Sequence, residues 1–326
     1  MKFRALRSFS EGSERCSRRV ELGIDDLDAG DLVIKSRFAA VNYKDARAVS
    51  GQGKVLTRYP CVPGIEVSGE VVTSADQRFK PGALVTVQGG REFGMSHDGA
   101  FAEFVRVPAA WAHPIPPGFD AFSVVALGIG AYTAAMAIER IEQHGVAPGA
   151  GEIIVTGATG GCAGFAISML AGLGYSVVGM TGKATEHEYL RRIGASRVVD
   201  RSIMMDYPKP LDTQLWAGCI DTVGGAPLDW VLRTMRTGGI VAAFGNAAGE
   251  TLRSSIYPFI LRSVTLAGVN ANHPIDRRTS AWPRLAADLK PRALDTICHR
   301  VPFVDLLDYC ETVINGRARG RGVVVF

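Results

Sequence analysis

The feature that most constrains this chain is the run EIIVTGATGGCAG at positions 152–164, where an apolar strand enters Gly157, Gly160 and Gly161 and continues into a helix. Glycines at such a turn let a pyrophosphate approach the backbone, and the helix N-terminus beyond offers N–H groups and partial positive charge. Thr159 and Cys162 lie in the same turn and join the glycines as candidate contacts. The alternation then continues with a helix over 161–173, strand YSVVGM, a helix over 185–193 and strand RVVD. Strand CIDTVG at 219–224, helix PLDWVLRTM, strand GIVAAFG, a helical turn near 257–261 and strand VTLAGV at 264–269 complete it. Six strands interleaved with helices predict a doubly wound parallel sheet, and the glycine turn marks it as dinucleotide-binding.

Upstream, as far as about Pro117, short β-type runs are broken by glycine and proline: DLVIKSRFAAVNY, SGEVVTS, ALVTVQGG and AFAEFVRVP. This predicts a small β-rich domain. The segment 121–141, AFSVVALGIGAYTAAMAIERI, is apolar and of helical length, and begins the second domain with one or two helices. The tail carries amphipathic helices near 280–288 and 304–314 and a last strand, GVVVF, and should rejoin the first domain, since a lone two-helix appendage buries little apolar surface. The expected organisation is 1–120 plus 271–326 as one domain, with 121–270 inserted. A length of 326 residues suits two such cores.

A net charge of +4, with arginines scattered rather than clustered, argues against nucleic acid as a partner. No run is read as approaching the roughly 20 unbroken apolar residues of a membrane helix, and the start lacks a signal-peptide core, so no membrane partner and a cytoplasmic location are expected. The cysteines at 16, 61, 162, 219, 298 and 310 are single, with no CxxC pair, and read as reduced packing residues.

Coenzyme preference is read at the end of the second strand, about 20 residues past the glycines, where NAD enzymes place an Asp or Glu on the ribose hydroxyls. Here stand Thr181, Gly182 and Lys183. A hydroxyl, a flexible glycine and a cation suit a 2′-phosphate, and Arg201 past the third strand adds a second charge, so NADPH is predicted over NADH.

On VNYKDARAVSGQGKV, YPCVPGIEVSGEV, GEIIVTGATGGCAG, LGYSVVGMTGKATEHEYLRRIGASRVV, WAGCIDTVGG, PFILRSVTLAGV, RRTSAW and INGRARGR, the chain resembles the medium-chain dehydrogenase/reductase superfamily, in its quinone-oxidoreductase branch. More narrowly it resembles the acryloyl-CoA reductase group, and the match runs nearly end to end. The resemblance implies a GroES-like β-rich domain with an inserted Rossmann domain, and a homodimer. The best-known members bind catalytic zinc through a Cys near the NYKD position and a His in a GHE motif. Here Asn42-Tyr43-Lys44-Asp45 and Gly64-Ile65-Glu66 stand there and the four-cysteine lobe is missing, so no metal is expected. Where relatives read GGVG, this chain has Gly161-Cys162-Ala163-Gly164, which implies a helix seated slightly farther from the coenzyme.

The implied reaction is metal-free hydride addition to an activated C=C bond of a short α,β-unsaturated acyl-CoA, with reduction of quinones or α,β-unsaturated ketones as the enzymatic alternative. A third possibility is a coenzyme-binding protein without turnover. Hydride addition leaves an enolate, which needs a donor at its oxygen and a proton for the neighbouring carbon. Asn42 and Tyr43 are the candidates, because the resemblance places their motif facing the nicotinamide; Tyr43 also serves as a coenzyme contact. Thr222 and Asn315 are carried toward the coenzyme on the same ground. Asp45 is read as a helix or turn cap. Arg262, Arg277, Arg278, Arg319 and Arg321 are available to CoA phosphates, and His97, His113 and His144 read as loop or surface residues.

Overall fold

The computed structural model describes residues 2–12, 14–90, 92–204, 209–272 and 280–326. They form two units, one running to Ile129 and resuming at Cys298–Phe326, the other Gly130–Ile297.

The first unit is mostly antiparallel sheet. A hairpin of β1 (Phe3–Glu11) and β2 (Glu14–Leu22), which the sequence reading passed over, precedes β3 (Leu32–Ala40). A short helix α1 (Tyr43–Val49) follows, then β4 (Glu66–Ser74), β5 (Leu84–Gln88), β6 (Phe104–Val107) and β7 (Ala112–Pro114). Two strands from the end of the chain, Cys298–Pro302 and Arg321–Val325, extend the sheet in the order 298–302, 321–325, β3, β4, β5, β7, with β6 also paired to β3. β6 alternates half-buried and buried side chains along Phe-Val-Arg-Val, the pattern of a strand with one face on a core. That core gathers Leu6, Leu32, Ile34, Val67, Val85, Phe101, Val105 and Val324.

The connection onward is α2 (Ala121–Gln143), which departs from helical geometry at Gly128 (φ 41°, ψ −145°). By length and composition α2 could cross a membrane, contrary to the expectation that no segment comes close. Its most apolar window is 78% buried inside the protein, as a core helix would be.

The second unit holds six parallel strands: β8 (Glu152–Val155), β9 (Ser176–Thr181), β10 (Arg197–Asp200), β11 (Trp216–Asp221), β12 (Met235–Ala243) and β13 (Thr265–Gly268). Their spatial order, β10-β9-β8-β11-β12-β13, is the doubly wound arrangement, with the switch point between β8 and β11. The helices between them are α3 (Gly161–Gly172), α4 (His187–Arg192), α5 (Gly225–Thr234) and α6 (Tyr257–Arg262). The expected α/β class and parallel sheet are therefore present.

The domain boundaries differ from expectation, since residues 130–297 rather than 121–270 form the second unit. The segment 280–297 buries Trp282, Leu285, Leu289 and Ile297 and adds polar anchors. Arg284, in helix Ala281–Ala286, grips the Glu142 carboxylate at 2.6 and 3.0 Å, and the Arg292 amide donates to Ser168 Oγ at 3.2 Å. The helix read near 280–288 thus serves the second core, and the chain returns to the first unit only at Cys298.

Candidate active site

In the second unit, residues 156–160 turn β8 into α3. Gly157 sits at φ +58°, and a Cβ there would lie 2.5 Å from Val223 Cγ1 and 2.7 Å from Thr222 Oγ1, so only glycine fits. The Gly160 amide closes the turn on the Gly157 carbonyl at 2.9 Å, and Gly161 opens α3 with no side-chain cap at Gly160. An uncapped helix start presents amide donors and dipole to an anion. Thr159 is buried beside this turn and Cys162 is half-buried in the first turn of α3. At Gly164 a Cβ would meet Tyr189 Oη at 3.2 Å, so close packing of α3 on α4 falls at this glycine rather than at Ala163.

The second cluster lies one strand over. Register pairs Thr181 with Asp200, which brings Arg201 beside Gly182, where its guanidinium nitrogens lie 3.3 Å from the position of a Cβ. Thr181 is buried, and its hydroxyl accepts the Lys183 amide at 3.1 Å. Burial pushes the Lys183 ammonium below the usual lysine range, with Glu186 offsetting part of the effect. The structure therefore places Thr181, Gly182, Lys183 and Arg201 at the neighbouring ends of β9 and β10. Lys183, partly desolvated, and Arg201, packed against Gly182, are two cations on neighbouring strand ends that a dianion could engage.

The switch point holds a group missed in the sequence. Asp221 is fully buried at the end of β11; its carboxylate accepts the Thr156 hydroxyl at 2.7 Å and the Gly224 amide at 2.9 Å. Thr222 donates its amide to Thr156 Oγ1 at 3.0 Å and its hydroxyl to the Thr156 carbonyl at 2.8 Å, so this candidate does lie against the glycine turn. The signal available in CIDTVG was an acid ending an otherwise apolar strand.

The first unit holds its own polar centre around Asn42. The Asn42 side-chain amide donates to Asp45 Oδ2 at 2.9 Å and to Glu66 Oε1 at 2.8 Å, while its oxygen accepts from Arg321 Nη1 at 2.8 Å. Both amide hydrogens are engaged. Asn42 thus has no N–H left for a substrate carbonyl, and the geometry reassigns it from donor to lock of the α1 N-terminus, where its backbone amide also donates to Asp45 at 2.8 Å. Burial pushes the Asp45 carboxyl up to about 6, against the lowering effect of the Asn42 donors. Glu66 and Arg321, 0% and 3% exposed, form an ion pair at 2.5 Å. The second Glu66 oxygen accepts the Ile129 amide at 2.7 Å, and a Cβ at Gly128 would collide with that oxygen. Tyr43 opens α1 rather than lying in a strand; it is half-buried, and its hydroxyl makes no hydrogen bond among the described residues.

Other candidates are placed elsewhere. Arg321 is spent on Glu66 and Asn42, and Arg262 on the carbonyls of Arg233, Met235 and Asp212, so neither remains for CoA phosphates. Arg277 and Arg278 lie outside the described residues, and Arg319 is exposed. Asn315 is the exposed C-cap of helix Leu306–Ile314 in the first unit. His97 contacts the carbonyls of Asp98 and Ala29, and His144 that of Gly238. Among the described residues no group of three or more His, Cys, Asp or Glu could hold a metal ion.

Residues 28–117 match the alcohol dehydrogenase GroES-like domain model, and 161–289 the zinc-binding dehydrogenase model. The chain is 41% identical over 91% of its length to an Escherichia coli (strain K12) protein named "Probable acrylyl-CoA reductase AcuI", covering 92% of it. It is 38% identical over 93% to acrylyl-CoA reductase AcuI of Ruegeria pomeroyi, again covering 92%. In structure it is similar to E. coli K-12 YhdH with bound NADPH (TM-score 0.94, 39% identity, 98% and 99% of the two chains). It is also similar to Bacillus subtilis YhfP with NAD bound (TM-score 0.92, 35% identity, 100% of both). With the six-stranded switch-point sheet, the glycine turn and relatives matched over nearly their whole length, the chain belongs to the medium-chain dehydrogenase/reductase family, quinone-oxidoreductase branch, in the acryloyl-CoA reductase group.

Proposed function

We propose that this protein reduces the activated C=C bond of a short α,β-unsaturated acyl-CoA, acryloyl-CoA first, using NADPH. The observation that carries the coenzyme half is the grouping of Thr181, Gly182, Lys183 and Arg201 one strand from the uncapped start of α3. Gly157, Thr159, Gly160, Gly161 and Cys162 would hold the pyrophosphate side, and Thr222 a neighbouring ribose hydroxyl or carboxamide. Lys183 and Arg201 would grip the 2′-phosphate, with Gly182 giving it room. When bound, the coenzyme supplies a hydride to the alkene carbon farthest from the thioester carbonyl. Tyr43, whose hydroxyl has no hydrogen bond among the described residues, is the residue we assign to stabilise the enolate oxygen or protonate the adjacent carbon, and to touch the coenzyme. Asn42 keeps a supporting role, and Asn315 a peripheral coenzyme contact.

The substrate half rests on the acrylyl-CoA reductase relatives. The second reading, a quinone or unsaturated-ketone reductase, is favoured by the B. subtilis YhfP relative, named "Putative quinone oxidoreductase YhfP", at 36% identity. A substrate panel decides between them. NADPH oxidation with acryloyl-CoA should far exceed that with benzoquinones, and the reverse ranking supports the second reading. Tight NADPH binding without turnover on either overturns both. Lys183→Ala and Arg201→Ala should each raise KM for NADPH about tenfold and leave that for NADH nearly unchanged; equal efficiency of wild type with the two coenzymes sinks the NADPH assignment.

We further propose a cytoplasmic homodimer with no nucleic-acid or membrane partner. None of the six cysteines is in a disulfide, which suits a reducing compartment. β13 ends the sheet among the described residues, and Ile256, Ile260 and Leu261 beside it are 61%, 61% and 60% exposed. An open strand edge and exposed apolar residues can each meet their own copy across a two-fold axis.

A further inference from the structure

Three segments meet at the switch point more closely than side chains allow. Thr222 is wedged between Gly157, whose Cβ would lie 2.7 Å from its Oγ1, and Gly245, whose Cβ would lie 1.7 Å from its carbonyl oxygen. Gly224 sits at φ +66°, and the Ala248 amide donates to the Val223 carbonyl at 2.7 Å. One buried side chain links these segments. Asp221 accepts from Thr156, the residue before the glycine turn, and from Gly224, the N-cap of α5, while its carbonyl accepts the Phe244 amide at 3.0 Å. Thr156 in turn takes the Thr222 amide, so one hydrogen-bonded chain runs from Thr222 through Thr156 to Asp221 to Gly224.

We infer that Asp221 is a positioning residue for the coenzyme: by holding Thr156 and Gly224 it fixes the distance between the ends of β8 and β11, and with it the shape of the glycine turn. The chain also sets hydrogen-bond polarity. Because the Thr222 hydroxyl donates to the Thr156 carbonyl, its oxygen is left to accept, which suits a ribose hydroxyl or carboxamide N–H rather than a phosphate oxygen. This inference rests on the coenzyme reading above, but Asp221 touches nothing that distinguishes NADPH from NADH. Its loss must therefore weaken both alike, unlike loss of Lys183 or Arg201.

The test is fluorescence titration of Asp221→Asn, Thr156→Val and Thr156→Ser with NADPH and NADH, alongside kcat and KM. Asp221→Asn keeps the shape but turns one acceptor into a donor facing donors, and Thr156→Val removes the linking hydroxyl. Each should raise Kd for both coenzymes by about tenfold, with the NADPH-to-NADH ratio unchanged and kcat within about threefold. Thr156→Ser, which keeps the hydroxyl, should recover most of the binding lost in Thr156→Val. Unchanged Kd in the folded fraction of both disruptive variants overturns the inference, as does a loss confined to NADPH. Failure of wild type to bind either coenzyme overturns the underlying coenzyme reading instead, so the two failures are separable.

Discussion

Glu66→Gln should destabilise the first unit far more than a one-atom change suggests. The Glu66 carboxylate is 0% exposed and answers three donors: Arg321 Nη2 at 2.5 Å, Asn42 Nδ2 at 2.8 Å and the Ile129 amide at 2.7 Å. A glutamine retains one acceptor oxygen and sets an NH2 group against one of these donors. The Arg321 charge, 3% exposed, then loses its Glu66 counter-charge. Removing one partner of a buried pair costs about 3–5 kcal/mol, whereas replacing both partners can be nearly neutral. Glu66→Gln and Arg321→Met should therefore each cost several kcal/mol, and the double variant clearly less than their sum. Denaturant unfolding gives the global values. Amide exchange at Ile129 gives a local one, and it should accelerate by about 100-fold or more in Glu66→Gln as the bend at Gly128 loses its acceptor. A Glu66→Gln variant within about 1 kcal/mol of wild type, or purely additive single costs, would refute the reasoning.

Gly157→Ala should weaken NADPH binding at least about tenfold, measured by coenzyme fluorescence, because φ +58° and the contacts with Val223 and Thr222 exclude a Cβ; unaltered affinity contradicts the turn assignment. Asp45, pushed up to about 6 by burial, binds a proton more tightly folded than unfolded. Its charged form therefore costs stability that is absent below about pH 4 and complete above about pH 6, by at most about 3 kcal/mol. Relative to wild type, Asp45→Asn should gain stability as pH rises from 4.5 to 7.5 in urea unfolding, and a pH-independent difference rejects this. Ile260→Glu with Leu261→Glu should convert the proposed dimer to monomer in light scattering without loss of secondary structure; an unchanged mass moves the interface elsewhere.

How far the site could be read in advance follows from where each interaction lies along the chain. The strand, glycine turn and helix at 152–172 are contiguous, and residues 181–183 follow one another at the end of β9, so periodicity and residue type make both legible. Tyr43 and Asn42 were legible as a motif but not as separate roles. Only the convergence of Asp45, Glu66 and Arg321 on one amide shows that Asn42 has no donor left. The β1–β2 hairpin is not legible in the sequence because arginine and serine mask its alternation, and its register is set by pairing rather than by composition.

Local pattern thus determined what lies within a dozen or so neighbouring residues: element type, the dinucleotide turn and the cationic loop beyond it. The tertiary structure alone decided the rest. Glu66 and Arg321 are 255 residues apart in the chain, as Thr156 and Asp221 are 65. Residues 280–297 join the second unit, where Trp282, Leu285 and Leu289 are buried and Arg284 meets Glu142, and not the domain that their position near the chain end suggested. A buried charge must find its partner wherever folding brings one within reach, and that pairing is a property of three-dimensional distance, which sequence spacing does not encode.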